Sequence, residues 1–91
     1  MRVFIDSNSY DPYYHLALEH HFLYKDLDID RDPVLIIYRN HDSIVLGNFQ
    51  NPWLEADIKY CLENSITLAR RFSGGGCVFH DLGNINFCYI G

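Results

Sequence analysis

The sequence lacks paired cysteines at metal or redox spacing, a surplus of basic charge, and any long apolar run. Its three cysteines, Cys61, Cys77 and Cys88, are an odd number with no CxxC among them. That argues against a disulfide framework or a zinc site and for a reducing compartment. Seven Lys and Arg stand against twelve Asp and Glu, a formal net charge of −5. The chain therefore lacks the basic surface that nonspecific nucleic-acid or anionic-membrane binding needs. No apolar stretch approaches the ~18 residues of a membrane span. The first residues, Met1-Arg2-Val3-Phe4-Ile5-Asp6, form neither the apolar core of a secretory signal nor an Arg- and Ser-rich presequence. The expectation is a soluble cytoplasmic protein, or a mitochondrial one in a eukaryote.

What is present is a globular composition. Of the 91 residues 48% are apolar and 21% charged, which excludes intrinsic disorder and allows one small domain at most. Four of the seven residues from Asp26 to Asp32 are Asp, a stretch that reads as a solvated loop rather than a site.

Local signals place the elements. Val3-Phe4-Ile5 reads as a first strand. Asp11-Pro12 opens a helix with a favoured N-cap and a proline whose missing N–H costs nothing there. That helix should run to about Lys25, with Tyr13, Leu16, Ala17, His20 and Leu23 on its apolar face. Val34 to Tyr38 and Ser43 to Gly47 are apolar runs suited to buried strands, and their short separation predicts a hairpin. Asn51-Pro52 repeats the cap-then-proline opening for a second helix reaching about Asn64, with Leu54, Ile58, Cys61 and Leu62 inward and Glu55 and Lys59 paired on the wet side. Ile66 to Arg71, Cys77 to His80 and Ile85 to Ile90 read as strands, the last two separated by the turn residues Asp81 to Asn84. This order implies α+β with a mostly antiparallel sheet and flanking helices. The stop at Gly91, directly after an apolar strand, reads as a cut through a fold rather than a boundary in a polar linker.

The chemistry concentrates in Arg70-Arg71-Phe72-Ser73-Gly74-Gly75-Gly76-Cys77-Val78-Phe79-His80-Asp81. Consecutive glycines let backbone N–H groups approach a ligand and form an anion nest, and Arg71 is placed to add a charge-assisted fork to the same anion. By itself a glycine triplet equally serves as a strand connector, and it matches neither a Walker A loop nor GxGxxG. His80 is open to a general-base role or a structural one. His15, His20 and His21 lack the spacing of a zinc helix and read as solvent-facing or partly packed. Cys77 and Cys88 read as small apolar packers. No metal ligand is assigned.

The longer pattern Arg-Arg-x-Ser-Gly-Gly-Gly-x-Val-x-His-Asp-x-Gly-Asn-x-Asn, from Arg70 to Asn86, resembles the lipoate–protein ligase family of the biotin/lipoate ligase superfamily. Ser9-Tyr10-Asp11-Pro12 with Leu16-Ala17-Leu18-Glu19, Tyr38-Arg39-Asn40, and Gly47 to Trp53 resemble its earlier landmarks, so the similarity covers nearly the whole chain. The resemblance implies an N-terminal portion of that catalytic domain and an ATP- and Mg2+-dependent activation of lipoate to lipoyl-adenylate. Transfer would follow to a lysine of a lipoyl acceptor domain of a 2-oxoacid dehydrogenase or of the glycine-cleavage H protein. Carried over, Arg71 is the catalytic residue and Ser73, Gly74, Gly75 and Gly76 form the lipoyl-adenylate loop. Val78 and Phe79 lie beside the adenine, Asp81 and Asn84 form the polar turn, and Leu16 and Glu19 line the lipoyl pocket. Without the resemblance, Leu16, Val78 and Phe79 are core residues, Asp81 and Asn84 hairpin formers, and Glu19 a solvated helix residue.

Departures from the family pattern are His15 for a usual Asn, His20 for an acid, Asn48 for a basic residue, Cys77 for Ala or Thr, and Cys88 for Ser or Thr. The family's essential lysine has no counterpart in Lys25 or Lys59, the chain's two lysines, and is expected from a missing C-terminal segment or chain. Two alternatives stay open: an octanoyl or lipoyl amidotransferase, and a noncatalytic binding module that needs a partner chain.

Overall fold

A computed structural model describes residues 1–55, 57–72 and 76–91, with the side chains of 54 and 55 outside the description. Nine elements follow one another: β1 (Arg2–Ile5), α1 (Pro12–Tyr24), β2 (Val34–Tyr38), β3 (Ser43–Leu46), α2 (Pro52–Glu55), α3 (Ile58–Glu63), β4 (Thr67–Arg70), β5 (Val78–His80) and β6 (Asn86–Ile90). The class is α+β, as the sequence implies. The strands form two three-stranded sheets, ordered β1-β2-β6 and β4-β3-β5. Each combines one parallel pairing, β1 with β2 and β3 with β4, and one antiparallel pairing, β2 with β6 and β3 with β5. The sheets are thus more evenly mixed than the strand order alone indicates.

The expected hairpin of β2 and β3 does not form. Both edges of β2 are occupied by β1 and β6, and both edges of β3 by β4 and β5. Residues 39–42 therefore carry the chain from one sheet to the other. The turn at Asp81–Asn84 makes a second crossing, from β5 to β6. Asp81 Oδ1 accepts from the Gly83 amide at 2.8 Å, and Asp81 O from the Asn84 amide at 3.1 Å. These two residues shape a turn between sheets rather than a hairpin.

Helix α1 begins as expected, with the Asp11 carboxylate accepting from the Tyr13 amide at 2.9 Å and Pro12 in the first turn. Its buried stripe is Pro12, His15, Leu16 and Phe22, whereas Tyr13, Ala17 and Leu23 are exposed. The inward face is turned because Phe22 packs on Phe4, ring centres 4.9 Å apart, and because His15 finds polar partners inside. Phe22 joins Val34, Ile36, Tyr38 and Ile90 in the core between α1 and the first sheet. The acidic stretch after α1 is not uniformly solvated. Asp26 and Asp32 are half-buried and clasp the Arg2 guanidinium, while Asp28 and Asp30 stay exposed.

The second predicted helix is two short ones. The Asp57 carboxylate accepts from the Tyr60 amide at 3.0 Å and so caps α3 as a separate helix. Cys61 is buried, but Leu62 is 77% exposed, against expectation. The wet-side pair is Lys59 with Glu63, at 3.8 Å. Leu54 and Glu55 fall outside the described side chains. Ser65 ends α3 in the left-handed region at φ 55°, and the Ile66 amide closes back on the Cys61 carbonyl at 2.9 Å, the Schellman arrangement that usually employs glycine.

Candidate functional site

Helix α1, the residues that follow β4 and strand β6 line two cavities that share Glu19, Arg71 and Cys88, and the crossing at 39–42 reaches one of them through Asn40. One, of about 360 Å³, is lined by Leu16, Tyr38, Asn40, Val45, Val78 and His80 besides the shared residues. The other, of about 410 Å³, reaches His20, Leu23, Ile29, Phe72 and Ile90. Sequence-predicted Leu16, Glu19, Arg71 and Val78 therefore meet in one place, although they lie on α1, after β4 and on β5. Phe79, Asp81 and Asn84 line neither cavity: Phe79 alternates to the other side of β5, and the other two are spent on the turn. Ser73, Gly74 and Gly75 lie outside the described residues. Gly76 is placed, and its carbonyl accepts from the Arg71 guanidinium.

The neighbouring arginines do different work. Arg70 donates to the carbonyls of Asn48 at 2.9 Å and Gln50 at 2.7 Å, holding the loop after β3. The Arg71 amide is tied to Leu46 O at 2.9 Å, which extends the strand pairing by one residue, and its side chain enters both cavities. Parallel pairing of β4 with β3 thus directs alternate arginines to loop and cavity.

Glu19 is the polar centre of the shared wall. Tyr38 donates its hydroxyl to Glu19 Oε1 at 2.8 Å, and the Cys88 thiol hydrogen-bonds to the same carboxyl. Burial raises the Glu19 pKa above the ordinary glutamate range, against the pull of those donors, His15 and Arg71. Burial followed by the Glu19 charge also raises Tyr38 and brings Cys88 up to about 11. A thiol so placed is held protonated, which suits packing and not nucleophilic attack.

A second polar group reaches the cavity at the sheet crossings. His15, 1% exposed, stacks on Tyr38 with ring centres 4.3 Å apart. Its Nε2 lies 2.9 Å from Asp6 Oδ2 and its Nδ1 2.6 Å from Asn40 Oδ1. Asn40, 2% exposed, lies through Nδ2 3.0 Å from His80 Nδ1. The reading of His15 as solvent-facing or partly packed is thus overturned, because Asp6 and Asn40 satisfy its ring inside. His80 is pushed below the ordinary histidine range by burial and then by Arg71. Asp6, His15, Asn40 and Tyr38 escaped the sequence-based site list. Their one signal was a polar residue on an apolar helix face and a short crossing that contains Asn.

Comparison with known proteins decides the family. A family model described as the lipoyl protein ligase A/B catalytic domain matches residues 11–91. The chain belongs to this lipoyl protein ligase family. A Schizosaccharomyces pombe relative is 46% identical over 82 residues, covering 90% of this chain and 22% of that protein. The lipoate-protein ligase A of Blochmanniella pennsylvanica is 44% identical over 84 residues, 92% of this chain and 24% of its own length. The chain thus spans less than a quarter of these lipoyl protein ligase relatives. Among solved structures, P. falciparum LipL1 in complex with lipoate superposes with a TM-score of 0.84 at 37% identity, covering 97% of this chain and 29% of that one. A lipoate-protein ligase A bound with ATP gives 0.86 at 35% identity, over 97% and 35%. A bi-partite lipoate protein ligase from Thermoplasma acidophilum, studied with its E2 lipoyl domain, gives 0.83 at 35%, over 97% and 34%.

Proposed function

We propose that the cavity bounded by Leu16, Glu19, Tyr38, Arg71 and Val78 is the acyl slot of a lipoate–protein ligase. The observation that carries this is a slot whose wall includes the apolar Leu16, Val45 and Val78 and which also holds one guanidinium, Arg71, itself bonded to the Gly76 carbonyl. An apolar wall suits an acyl tail, and a fixed cation at its end suits a carboxylate and the phosphate it attacks. The lipoate-bound and ATP-bound relatives support both ligands.

In this reading the lipoate carboxylate attacks the α-phosphorus of ATP, giving lipoyl-adenylate and releasing pyrophosphate. The acceptor lysine amine then attacks the acyl carbon, forming an amide and releasing AMP. No enzyme nucleophile is required, in keeping with the protonated Cys88. Arg71 offsets the charge gathering on the acyl phosphate, and Leu16 and Val78 hold the tail in line. The lipoyl domain paired with the Thermoplasma ligase supports an acceptor of that kind, in the cytoplasm or mitochondrion. Mg2+ would accompany the nucleotide. Among the described residues no group of three or more His, Cys, Asp or Glu is arranged to hold a metal, so the ion is assigned no ligand from them. The 91 residues are the first part of the catalytic domain in this proposal, and the lysine comes from the share of the relatives' length that the chain does not span.

Lipoate-dependent ATP–pyrophosphate exchange tests the proposal, with the chain alone and with the chain supplied with the remainder of a relative's ligase domain. Exchange is expected in the second mixture, and Arg71→Ala should lower it by roughly 100-fold or more. Undiminished exchange in that variant would remove Arg71 from the site. One observation favours the binding-module reading as well: Val3, Ile5, Phe87 and Tyr89 leave the outer face of the first sheet apolar and exposed. A tight oligomer of the chain with no heat of lipoate binding would favour that module.

A further inference from the structure

The string Asp6–His15–Asn40–His80 runs from the loop after β1, through the buried His15 and Asn40, to the cavity. Its hydrogen bonds have a direction. The Asp6 carboxyl accepts from the Asn8 and Ser9 amides at 2.9 and 3.2 Å, and these with His15 hold it below the ordinary aspartate range. As an acceptor it draws a proton onto His15 Nε2. His15 Nδ1 faces the second acceptor, Asn40 Oδ1, at 2.6 Å. With Oδ1 so used, Asn40 presents its Nδ2 donor to His80 Nδ1 at 3.0 Å. A ring nitrogen that accepts carries no proton, so the neutral His80 ring places its proton on Nε2, the nitrogen left for a ligand.

We propose that His80 is a substrate-contacting residue that donates its Nε2–H, beside Arg71, to an oxygen of the acyl substrate's carboxylate or of the acyl phosphate formed from it, and that His15 and Asn40 are positioning residues that set its tautomer. A cation and a neutral donor in one slot distinguish an oxyanion end from the apolar remainder of the ligand. The two also differ in range: Arg71 attracts any anion, whereas a single oriented N–H fixes where one oxygen lies. The neutral state of the ring matters for the second step, because an uncharged donor does not add a second cation that would hold the departing phosphate beside Arg71. The proposal rests on the ligase reading for its ligand, but the tautomer does not.

The test has two parts. Imidazole nitrogen–proton correlation spectra of the labelled chain should show His80 as the Nε2–H tautomer, and Asn40→Asp, which replaces the donor with an acceptor, should convert it to Nδ1–H. Calorimetric titration with lipoate should then show affinity roughly tenfold weaker for His80→Leu, whereas His80→Gln, which keeps an N–H near Nε2, stays within about threefold of wild type. An Nδ1–H tautomer in the wild-type chain overturns the string's direction. Equal affinity in His80→Leu and wild type overturns the contact. Absence of lipoate binding by the wild-type chain supplied with the remainder of a relative's ligase domain, the mixture used for every titration, overturns the ligand assignment and the ligase reading with it, while the spectra still decide the string.

Discussion

Glu19, Tyr38 and Cys88 reach the cavity as groups that burial favours in their uncharged forms, whereas Asp6, His15, Asn40 and His80 reach it as a string anchored on a carboxylate that its loop keeps ionised. Both clusters touch the same histidine–tyrosine stack, His15 on Tyr38. The difference is one of solvation. Glu19 is half-buried where α1 faces the sheet, and Tyr38, Cys88, His15 and Arg71 do not offset its loss of hydration. Asp6 sits in a turn where backbone amides replace that water. A polar cluster is therefore charged or neutral according to the donors its backbone can supply, not according to the residue types in it.

The largest effect should come from removing the ring the clusters share. His15→Ala leaves Asp6, Asn40 and the face of Tyr38 without their partner in a buried site and should cost about 3 kcal/mol in denaturant unfolding. A loss under ~1 kcal/mol would mean that the two clusters are not joined through this ring. Tyr38→Phe deletes only the donor to Glu19 and should cost about 1–2 kcal/mol, with His80 keeping its tautomer.

The pH dependence separates the clusters by sign. Glu19 has a raised pKa when folded, so its contribution is fully present below the ordinary glutamate range and is lost as pH rises through the raised value. Asp6 has a depressed one, so its contribution is present above the ordinary aspartate range and is lost as pH falls through the depressed value. Unfolding midpoints against pH for Glu19→Gln and Asp6→Asn should therefore each remove one slope, with opposite signs. Slopes of the same sign would abolish the contrast. The smallest effect lies outside both clusters: Ser65→Gly relieves the left-handed residue that ends α3 and should add about 0.5–1 kcal/mol without moving either slope.

Much of the fold was legible. Asp11-Pro12 opened its helix where the cap chemistry required, five of the six strands fall within the predicted stretches and β1 starts one residue earlier, at Arg2, because caps and apolar runs act over a few residues. Misjudged were the hairpin of β2 with β3, the unbroken second helix and the inward face of α1. Each depended on a competitor that local pattern does not contain: β1 and β6 for the edges of β2, Asp57 as an internal cap, and Asp6 with Asn40 as partners for His15. Of the site residues the resemblance named, Leu16, Glu19, Arg71 and Val78 come together in one cavity, while Phe79, Asp81 and Asn84 do not reach it.

By itself the sequence determined the element positions, the family and the arginine at the head of the glycine-rich segment, since all of these rest on contiguous residues. Only the tertiary structure decided that two neighbouring pairs of strands part company into different sheets. That parting brings Asn40 of one crossing against His80 at the end of β5 and turns a histidine of α1 into the link between a loop carboxylate and the cavity. The physical reason is that a strand's hydrogen-bonding edges and a buried polar group's partners are settled by whichever segments arrive in space, and those segments lie dozens of residues apart.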